Sequence, residues 1–301
     1  MSMLEIRGVK KRFGEKQVLD GVDLSVPKGS VFGFIGQNGA GKTTLMKTVL
    51  GLLKADAGEI FVSGERVHYG NTPTNRHVGY LPDVPEFYGF MTAREYLTFC
   101  GEITGMERSG LKSRTGELLE MVGLGSETHR VGGFSRGMKQ RLGIAQALLN
   151  RPKLLICDEP TSALDPVGRK EILDTLQAVR EQTTVLFSTH ILGDVERICT
   201  DIALLHQGKI RLCGKPEEIK SRYRREEYLL EFSHAAHAKA LAEVFSRRCR
   251  IGEEANGCIL SGSEQDLFEV MDRICRDRLS LVGLERKEPD LEELFLEVAE
   301  K

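Results

Sequence analysis

Short apolar runs alternate with stretches of helical spacing along the first two thirds of the chain. Residues 31–35, 154–158 and 184–188 are largely apolar, which is typical of strands buried in a sheet. Helical spacing follows the first run at residues 43–53 and separates the other two at residues 171–180. The alternation predicts an α/β fold in which a central, mostly parallel sheet carries helices packed on it.

Two regions depart from this alternation. Residues 4–9 and 21–26 are strand-like pieces that precede the first buried strand, and they predict a β-rich N-terminal part. Residues 92–100 and 116–122 have helical spacing with no strand between them. We therefore expect a helical subdomain inserted at about residues 90–150.

The chain changes character after a charged run at residues 220–227. We expect this run to link a first domain, residues 1–220, to a smaller second domain, residues 225–301. The elements predicted for the second domain are strand 228–232, helix 236–245, strands 249–251 and 258–260, helix 266–275, strand 279–285 and helix 291–299. That order is typical of a small α+β sandwich of the βαββαβ type, with one additional helix.

Composition narrows the possible functions. Of the 301 residues, 41% are hydrophobic and 29% are charged, and the net charge of −2 lacks the basic excess typical of nucleic-acid binding. No apolar run approaches the roughly 20 residues of a membrane-spanning helix, and the N-terminus has no signal-peptide core. The seven cysteines are scattered, which favours reduced thiols. We therefore expect a cytoplasmic protein that binds no nucleic acid and reaches a membrane only through a partner.

A glycine-rich turn after the first buried strand carries the clearest chemical signal. Residues 36–43 fit the G-x-x-x-x-G-K-[ST] pattern of a P-loop, or Walker A loop. Glycines let backbone N–H groups approach phosphate, and the helix that follows adds its positive end. A chance match occurs in roughly one chain per hundred of this length, but here a strand precedes the loop and a helix follows it. The predicted nucleotide-binding residues are Gly36, Asn38, Gly39, Ala40, Gly41, Lys42, Thr43 and Thr44.

Side chains at predicted strand ends complete the chemistry. Lys42 offers a positive charge to the β- and γ-phosphates, and the hydroxyl of Thr43 can bind Mg²⁺. Asp158 ends the second buried strand and is expected to hold the same Mg²⁺. Its neighbour Glu159 can orient or deprotonate a water molecule. His190 follows the third buried strand and can reach the γ-phosphate, because ligands bind at the carboxyl ends of such strands.

These elements, in this order, resemble the ATP-binding cassette (ABC) family over residues 4 to about 215. The segment 134–141, Phe-Ser-Arg-Gly-Met-Lys-Gln-Arg, is similar to the family's signature motif, usually LSGGQ followed by a basic helix. Residues 162–165, Ser-Ala-Leu-Asp, match the D-loop, His190 matches the switch histidine, and Phe13 matches the aromatic residue that stacks on adenine. Each motif is weak alone, and their shared order and spacing carry the resemblance.

The resemblance implies a mechanism and a set of partners. Two cassettes, in a homodimer or a heterodimer, sandwich two ATP molecules with Mg²⁺, and the phosphate loop of one cassette faces Ser135 and Gly137 of the other. ATP closes the dimer and hydrolysis reopens it, with Lys42, Glu159 and His190 as the catalytic residues. The family's single-domain transporter subunits pair with a separate membrane permease, which implies a peripheral position on the inner face of the cell membrane.

A finer resemblance, to bacterial drug, lantibiotic and sodium exporters, rests on two segments. These are Gly-Met-Lys-Gln-Arg-Leu at residues 137–142 and Glu-Pro-Asp-Leu-Glu-Glu-Leu-Phe at residues 288–295. The resemblance favours export. It also implies that the permease binds the groove beside Asp83 and the helices from Thr92 onward. The tail is expected either to regulate or support dimerisation, or simply to pack on the cassette.

Three positions depart from the family pattern. Asp83 takes the place of the Q-loop glutamine, and its carboxylate can still accept a hydrogen bond from water or contact Mg²⁺ and nucleotide. Arg136 replaces the first signature glycine and is expected either in solvent or against the partner's phosphate. Met138 replaces the signature glutamine and is expected only to pack.

Other classes of protein share parts of this pattern. The main alternative is a non-transport ABC ATPase with a regulatory or nucleic-acid-related role, although such proteins usually carry two cassettes or long coiled coils. A small-molecule kinase or GTPase shares the phosphate loop but lacks the signature segment and His190. A catalytically silent ATP binder would not need Glu159 and His190.

Overall fold

Two compact units make up the chain, one ending at Pro216 and the other beginning at Glu217. The structure is a computed structural model that describes residues 2–70, 72–223, 226–252, 254–287 and 291–300. Within these ranges no helix is both long enough and apolar enough to cross a bilayer. All seven cysteines are free thiols, as their scatter predicted.

An antiparallel sheet opens the first unit and confirms the predicted β-rich N-terminal part. Its spatial order is β2-β1-β4-β5. The strands are β1 Ser2–Phe13, β2 Lys16–Pro27, β4 Ala57–Val62 and β5 Glu65–Arg66. Leu4 and Ile6 of β1 are buried in one core with Phe32 and Phe34, which lie in the strand Val31–Ile35 of the central sheet. The apolar face of this sheet therefore packs in the same core as the central sheet.

A six-stranded sheet forms the centre of the first unit, in the order β10-β9-β3-β8-β7-β6. The strands are β3 Val31–Ile35, β6 Val78–Leu81, β7 Leu154–Cys157, β8 Thr184–Thr189, β9 Asp201–His206 and β10 Lys209–Gly214. Neighbouring strands run parallel except for β10, which pairs antiparallel with β9. Every residue of β3, β7 and β8 is buried, which explains their continuous apolar runs. The predicted parallel sheet is confirmed.

Seven helices belong to the described part of this unit or start at its end. They are α1 Lys42–Val49, α2 Ala93–Ile103, α3 Arg108–Met121, α4 Arg136–Leu148, α5 Pro166–Val179, α6 Leu192–Ile198 and α7 Pro216–Arg222. Short 3₁₀ turns lie at Pro73–His77 and Val131–Gly133. Helices α2, α3 and α4 follow one another without a strand between them and share a core. They form the predicted helical subdomain, which we call the helical arm.

Several predicted boundaries differ from the structure: the helices predicted at residues 116–122 and 171–180 begin earlier, at Arg108 and Pro166. The helix predicted at residues 43–53 ends at Val49, because Gly51 adopts a left-handed backbone with φ +68° that stops the helix. The charged run at residues 220–227 is only partly a linker, since its first residues lie in α7. Acidic side chains in the first turn of α7 and basic ones in its last turn complement the helix dipole. Residues 224 and 225 of the run lie outside the described residues.

The second unit has the predicted βαββαβ order followed by one more helix. Its elements are β11 Glu227–Phe232, α8 Ala235–Val244, β12 Cys249–Ile251, β13 Gly257–Ser261, α9 Glu264–Arg276, β14 Leu281–Arg286 and α10 Leu291–Glu300. The sheet is antiparallel, in the order β12-β13-β11-β14. Leu230 and Leu260 of the sheet share a core with Leu241 of α8 and Ile274 of α9. Residues 288–290 of the exporter-like tail segment lie outside the described residues.

Candidate nucleotide-binding and hydrolysis site

The predicted site residues meet at one edge of the central sheet. Gly36 follows β3, Asp83 follows β6, Asp158 follows β7 and His190 follows β8. These strands lie side by side in the order β3-β8-β7-β6. Because parallel strands end at the same edge, the sheet brings together residues that are far apart in the sequence.

The phosphate loop turns tightly between β3 and α1. A Cβ atom on Gly36 would lie 2.6 Å from the carbonyl oxygen of Leu205, so only glycine fits where the loop begins. Gly41 adopts φ +111° at the N-cap of α1, a conformation that favours glycine. The first backbone N–H groups of α1, from Lys42 onward, have no partner within the helix, and a helix end of this kind can bind an anion.

Lys42 lies inside this loop with only 5% of its side chain exposed. Its Nζ donates to the carbonyl oxygens of Gly36 at 2.5 Å and Gln37 at 3.3 Å. The same atom lies 2.9 Å from Oε1 of Glu159, which follows β7. The loop and the end of β7 thus hold one ammonium group between them.

The carboxylate of Glu159 has a different neighbour on each oxygen. Oε2 lies 2.9 Å from Nδ1 of His190. Oε1 is buried and accepts no hydrogen bond from the described residues, so its contact with Lys42 is an ion pair without hydrogen-bond geometry. The backbone of Glu159 is left-handed, with φ +48°. Such a conformation costs on the order of 1–3 kcal/mol for a residue other than glycine and is typical of functional sites.

Ser188 fixes both acidic residues at the end of β7. Its Oγ donates to Oδ1 of Asp158 at 2.7 Å and accepts from the backbone N–H of Glu159 at 2.9 Å. Asp158 is 2% exposed and Ser188 is fully buried. The sequence pattern marked Ser188 only as the end of a strand. The available signal was a hydroxyl in an otherwise apolar run, next in the chain to the switch histidine segment.

A second buried network ties the chain after Glu159 to the chain after His190. Thr161 donates from Oγ1 to Oδ2 of Asp194 at 2.6 Å, and Arg169 donates from Nε to Oδ1 of the same residue at 2.5 Å. Thr161 and Asp194 are each 1% exposed. No motif marked these residues, because nothing in the local pattern separates Asp194 from an acid on an exposed helix face.

The signature segment forms the N-terminus of α4. Ser135 is the N-cap, and its Oγ accepts from the backbone N–H of Met138 at 3.2 Å. Ser135 is exposed and Gly137 is half-buried. Within the described ranges, no hydrogen bond or ion pair joins Ser135 or Gly137 to the phosphate loop of the same chain. Met138 packs against the core that the helical arm shares.

Asp83 lies beside the N-terminus of α4 and contacts its first residue, Arg136. Its Oδ1 is 3.4 Å from Nη2 of Arg136, which was expected in solvent or against a partner's phosphate and is 44% exposed. Partial burial raises the pKa of Asp83, the Arg136 guanidinium lowers it, and the charges of Asp158 and Glu159 raise it further. Asp83 is therefore within electrostatic reach of both acids.

A cleft of about 340 Å³ lies beside the phosphate loop. It is lined by residues 37–40 of the loop, residues 16–18 of β2 and residues 206–208 at the end of β9. Phe13, predicted to stack on adenine, is 49% exposed at the end of β1 and has Nζ of Lys11 5.3 Å from its ring centre. Phe13 pairs with Lys16 across the hairpin but is not part of the described lining.

A P-loop lies at the carboxyl edge of a mostly parallel sheet, and the helical arm precedes in the chain the strand that Asp158 and Glu159 follow. This is the architecture of an ATP-binding cassette. The profile of the ABC transporter family matches residues 19–162. The chain is similar to the uncharacterized ABC transporter ATP-binding protein YxlF of Bacillus subtilis, with 35% identity over 98% of this chain and 99% of that protein. It is 38% identical to the bacitracin transport ATP-binding protein BcrA of Bacillus licheniformis over 80% of this chain and 78% of that protein.

A solved structure of an ATP-binding cassette also matches this chain. The crystal structure of the ADP conformation of an ATP-binding cassette of an ABC transporter matches 72% of this chain and 92% of its own, with a TM-score of 0.64 and 28% identity. The chain belongs to the ABC transporter family, as one of its ATP-binding proteins. The predicted resemblance is thus confirmed. Subunits of this family bind nucleotide, dimerise and work with membrane permease subunits.

Proposed function

We propose that this chain hydrolyses Mg²⁺-bound ATP to drive outward transport through a separate membrane permease. One observation carries the proposal. The Glu159 carboxylate lies between the ammonium of Lys42 and the imidazole of His190, at 2.9 Å from each. The acid is thereby oriented beside the cation that would bind the γ-phosphate.

Hydrolysis of this kind depends mainly on positioning and charge. The phosphates of ATP carry more negative charge than one carboxylate, so Lys42 would move from Oε1 of Glu159 to the nucleotide. Oε1 could then accept the proton of a water molecule, while His190 holds the other oxygen. The water oxygen bonds to the γ-phosphorus, and the bond from that phosphorus to ADP breaks.

Thr43 and Asp158 would hold the Mg²⁺. Their hydroxyl and carboxylate oxygens are the ligands that Mg²⁺ prefers, and it is usually bound by one or two carboxylates together with phosphates. No group of three or more His, Cys, Asp or Glu side chains in the described ranges could hold a metal by itself. The metal would therefore bind together with the nucleotide, with Asp83 as a further oxygen ligand, directly or through water. When bound, Mg²⁺ neutralises charge on the phosphates.

A second cassette would complete the site. The N-terminus of α4 carries Ser135 and Gly137 and could bind a phosphate through its N–H groups and dipole. Since neither residue is bonded to the phosphate loop of its own chain, the partner's nucleotide is the proposed ligand. We further propose that residues 1–220 form this cassette and residues 225–301 an accessory domain.

An exposed apolar surface beside Asp83 supports docking to a permease. Val84 and Phe90 are each 64% exposed and Tyr88 is 52% exposed, and we call these three residues the apolar patch. The ring of Tyr88 lies 5.9 Å from that of Phe90 and 5.7 Å from that of Phe99 in α2. Clustered exposed apolar side chains are typical of protein-binding surfaces. Export is proposed from the resemblance to drug exporters, and the similarity to a bacitracin transport protein fits it.

Phosphate release from Mg²⁺-ATP tests the proposal, with and without the co-expressed permease. We expect Glu159→Gln to keep ATP binding, to lower turnover by about 10²-fold or more, and to trap an ATP-bound dimer in gel filtration. Glu59→Gln is the matched control, since Glu59 is a partly exposed acid of β4 that pairs with Arg66 at 2.9 Å. A wild-type chain that binds ATP but never releases phosphate in either setting would overturn the proposal.

A further inference from the structure

Two positions at which this chain departs from the family pattern contact each other. Oδ1 of Asp83 lies 3.4 Å from Nη2 of Arg136, and the two side chains are 48% and 44% exposed. Arg136 is the first residue of α4, directly after Ser135. Asp83 lies two residues beyond the end of β6. The contact therefore joins the loop at the proposed metal site to the helix end proposed to meet the partner cassette.

The backbone of that loop is fixed to the same face of α4. Gln140 is fully buried and donates from Nε2 to the carbonyl oxygen of Asp83 at 2.6 Å. Further along, a Cβ atom on Gly143 would overlap the side chain of Leu81 and approach Cβ of Pro85 to 3.4 Å. Positions 136, 140 and 143 are spaced i, i+4 and i+7, so they line one face of the helix. The loop from Leu81 to Pro85 therefore has little room to move without α4.

The carboxylate of Asp83 keeps more freedom than its backbone. It is about half exposed, and the negative charges of Asp158 and Glu159 act on it. A third carboxylate near two others is electrostatically disfavoured. The guanidinium of Arg136 opposes that repulsion and offers the carboxylate a fixed partner on α4.

We propose that Arg136 is a positioning residue for Asp83. The backbone of residues 81–85 already follows α4 through Gln140 and Gly143, and the ion pair holds the Asp83 carboxylate to the same helix when two cassettes close. The role rests on the proposed function, because Asp83 acts only if Mg²⁺-ATP binds beside it. It also explains why an acid and an arginine stand together where the family pattern has a glutamine and a glycine, which cannot form an ion pair.

A double-mutant cycle on the full chain tests this pair. The variants are Asp83→Asn, Arg136→Gln and the two combined, and the readouts are kcat, the KM for ATP and the Mg²⁺ concentration that gives half the maximal rate. Because exposed ion pairs contribute little, we expect each single variant to lower kcat or raise the Mg²⁺ requirement by about two- to five-fold. The combined variant should show a kcat and a Mg²⁺ requirement no more impaired than those of the more impaired single variant. Arg136→Lys keeps the charge and should recover part of the loss.

Arg197 and Asp174 provide a matched control pair. They lie 2.8 Å apart on α6 and α5 and are 39% and 50% exposed, close to the values of the site pair. Arg197→Gln and Asp174→Asn should leave kcat and the Mg²⁺ requirement unchanged, while thermal unfolding shifts as little as for the site pair. If the contact of Asp83 with Arg136 were purely structural, its variants would change thermal unfolding, and the effects of the two substitutions on kcat would not be coupled.

Two results would overturn the role of Arg136. The first is an effect of Arg136→Gln on kcat that is equal in the wild-type and Asp83→Asn backgrounds. The second is a loss of ATP-dependent dimerisation in Arg136→Gln that does not depend on residue 83, which would place Arg136 against the partner's nucleotide. A wild-type chain without ATPase activity would instead overturn the proposed function, so the two failures are distinguishable.

Discussion

The ammonium nitrogen of Lys42 lies 2.9 Å from Oε1 of Glu159, and the two side chains are only 5% and 11% exposed. Lys42 begins α1, whereas Glu159 follows β7, so the contact joins the proposed phosphate-binding and hydrolytic parts of the site. Burial removes hydration from both charges, and each then depends on the other. We therefore expect substitutions of either group to change both the stability and the activity of the protein.

Lys42→Ala should weaken ATP binding and also lower the stability of the protein without nucleotide. Loss of a hydrogen bond to a charged group, about 1.5–3 kcal/mol, corresponds to about 10- to 100-fold weaker binding. Stability falls because Glu159 keeps a buried charge without its cation. Fluorescent-nucleotide binding and thermal unfolding measure the two effects, and Lys47→Ala, an exposed lysine of the same helix, is the control.

Combining Lys42→Ala with Glu159→Gln separates the pair from its members. We expect the combined variant to lose less stability than the sum of the two single variants, because no unpaired charge remains buried. Simple additivity in thermal unfolding would mean that the ion pair makes no contribution of its own.

The positions of Asp158, Glu159 and His190 could be predicted from sequence because each follows an apolar strand. A local pattern places such a residue at a strand's carboxyl end, and a parallel sheet places those ends together. The contact of Glu159 with Lys42 could not be predicted in the same way. It depends on the strand order β3-β8-β7, which local periodicity does not determine.

Other parts of the site escaped prediction because their partners are distant in the chain. Ser188 and Asp194 are polar residues in buried surroundings, and the side chains and N–H groups they bind lie 25 to 33 residues away. The contact of Asp83 with Arg136 spans 53 residues. The sequence did not predict where α1 ends, because the helix stops at the left-handed backbone of Gly51. Glycine permits that conformation but does not require it.

His190→Ala should lower kcat with little change in the KM for ATP. His190 holds Oε2 of Glu159 at 2.9 Å, so its loss would leave the acid disordered, and we expect about a 10²-fold slower turnover. His129→Ala is the matched control, since His129 also contacts a glutamate but is 85% exposed and belongs to the segment between α3 and α4. A raised KM with unchanged kcat would instead make His190 a contact to bound ATP.

Ser188→Ala should reduce both stability and turnover. The substitution leaves the Asp158 carboxylate and the Glu159 N–H without their shared partner, at a cost of about 1–3 kcal/mol. Ser30→Ala is the control, because Ser30 is also buried, at 5% exposure, and donates to the carbonyl oxygen of Pro27 at 2.7 Å. Denaturant unfolding and kcat measure the outcome. If both variants lose equal stability and Ser188→Ala keeps its turnover, Ser188 does not position the acids.

The apolar patch offers a test of permease docking that leaves the nucleotide site intact. Val84→Ser combined with Phe90→Ser removes two side chains that are each 64% exposed. Surface substitutions usually change stability by less than about 0.5 kcal/mol, so folding and the ATPase activity of the isolated chain should persist. Copurification with the co-expressed permease should fall by about 10-fold or more, as expected when central interface residues are truncated.

Phe268→Ser separates docking from a general loss of surface hydrophobicity. Phe268 is 63% exposed, almost the same as Phe90, but it lies on α9 of the second unit. If the patch docks the permease, Phe268→Ser should copurify like the wild type. Equal losses for both substitutions would show that adhesion to apolar side chains in general accounts for the effect. Loss with Phe268→Ser alone would move the permease contact to the second unit and contradict the role of the patch.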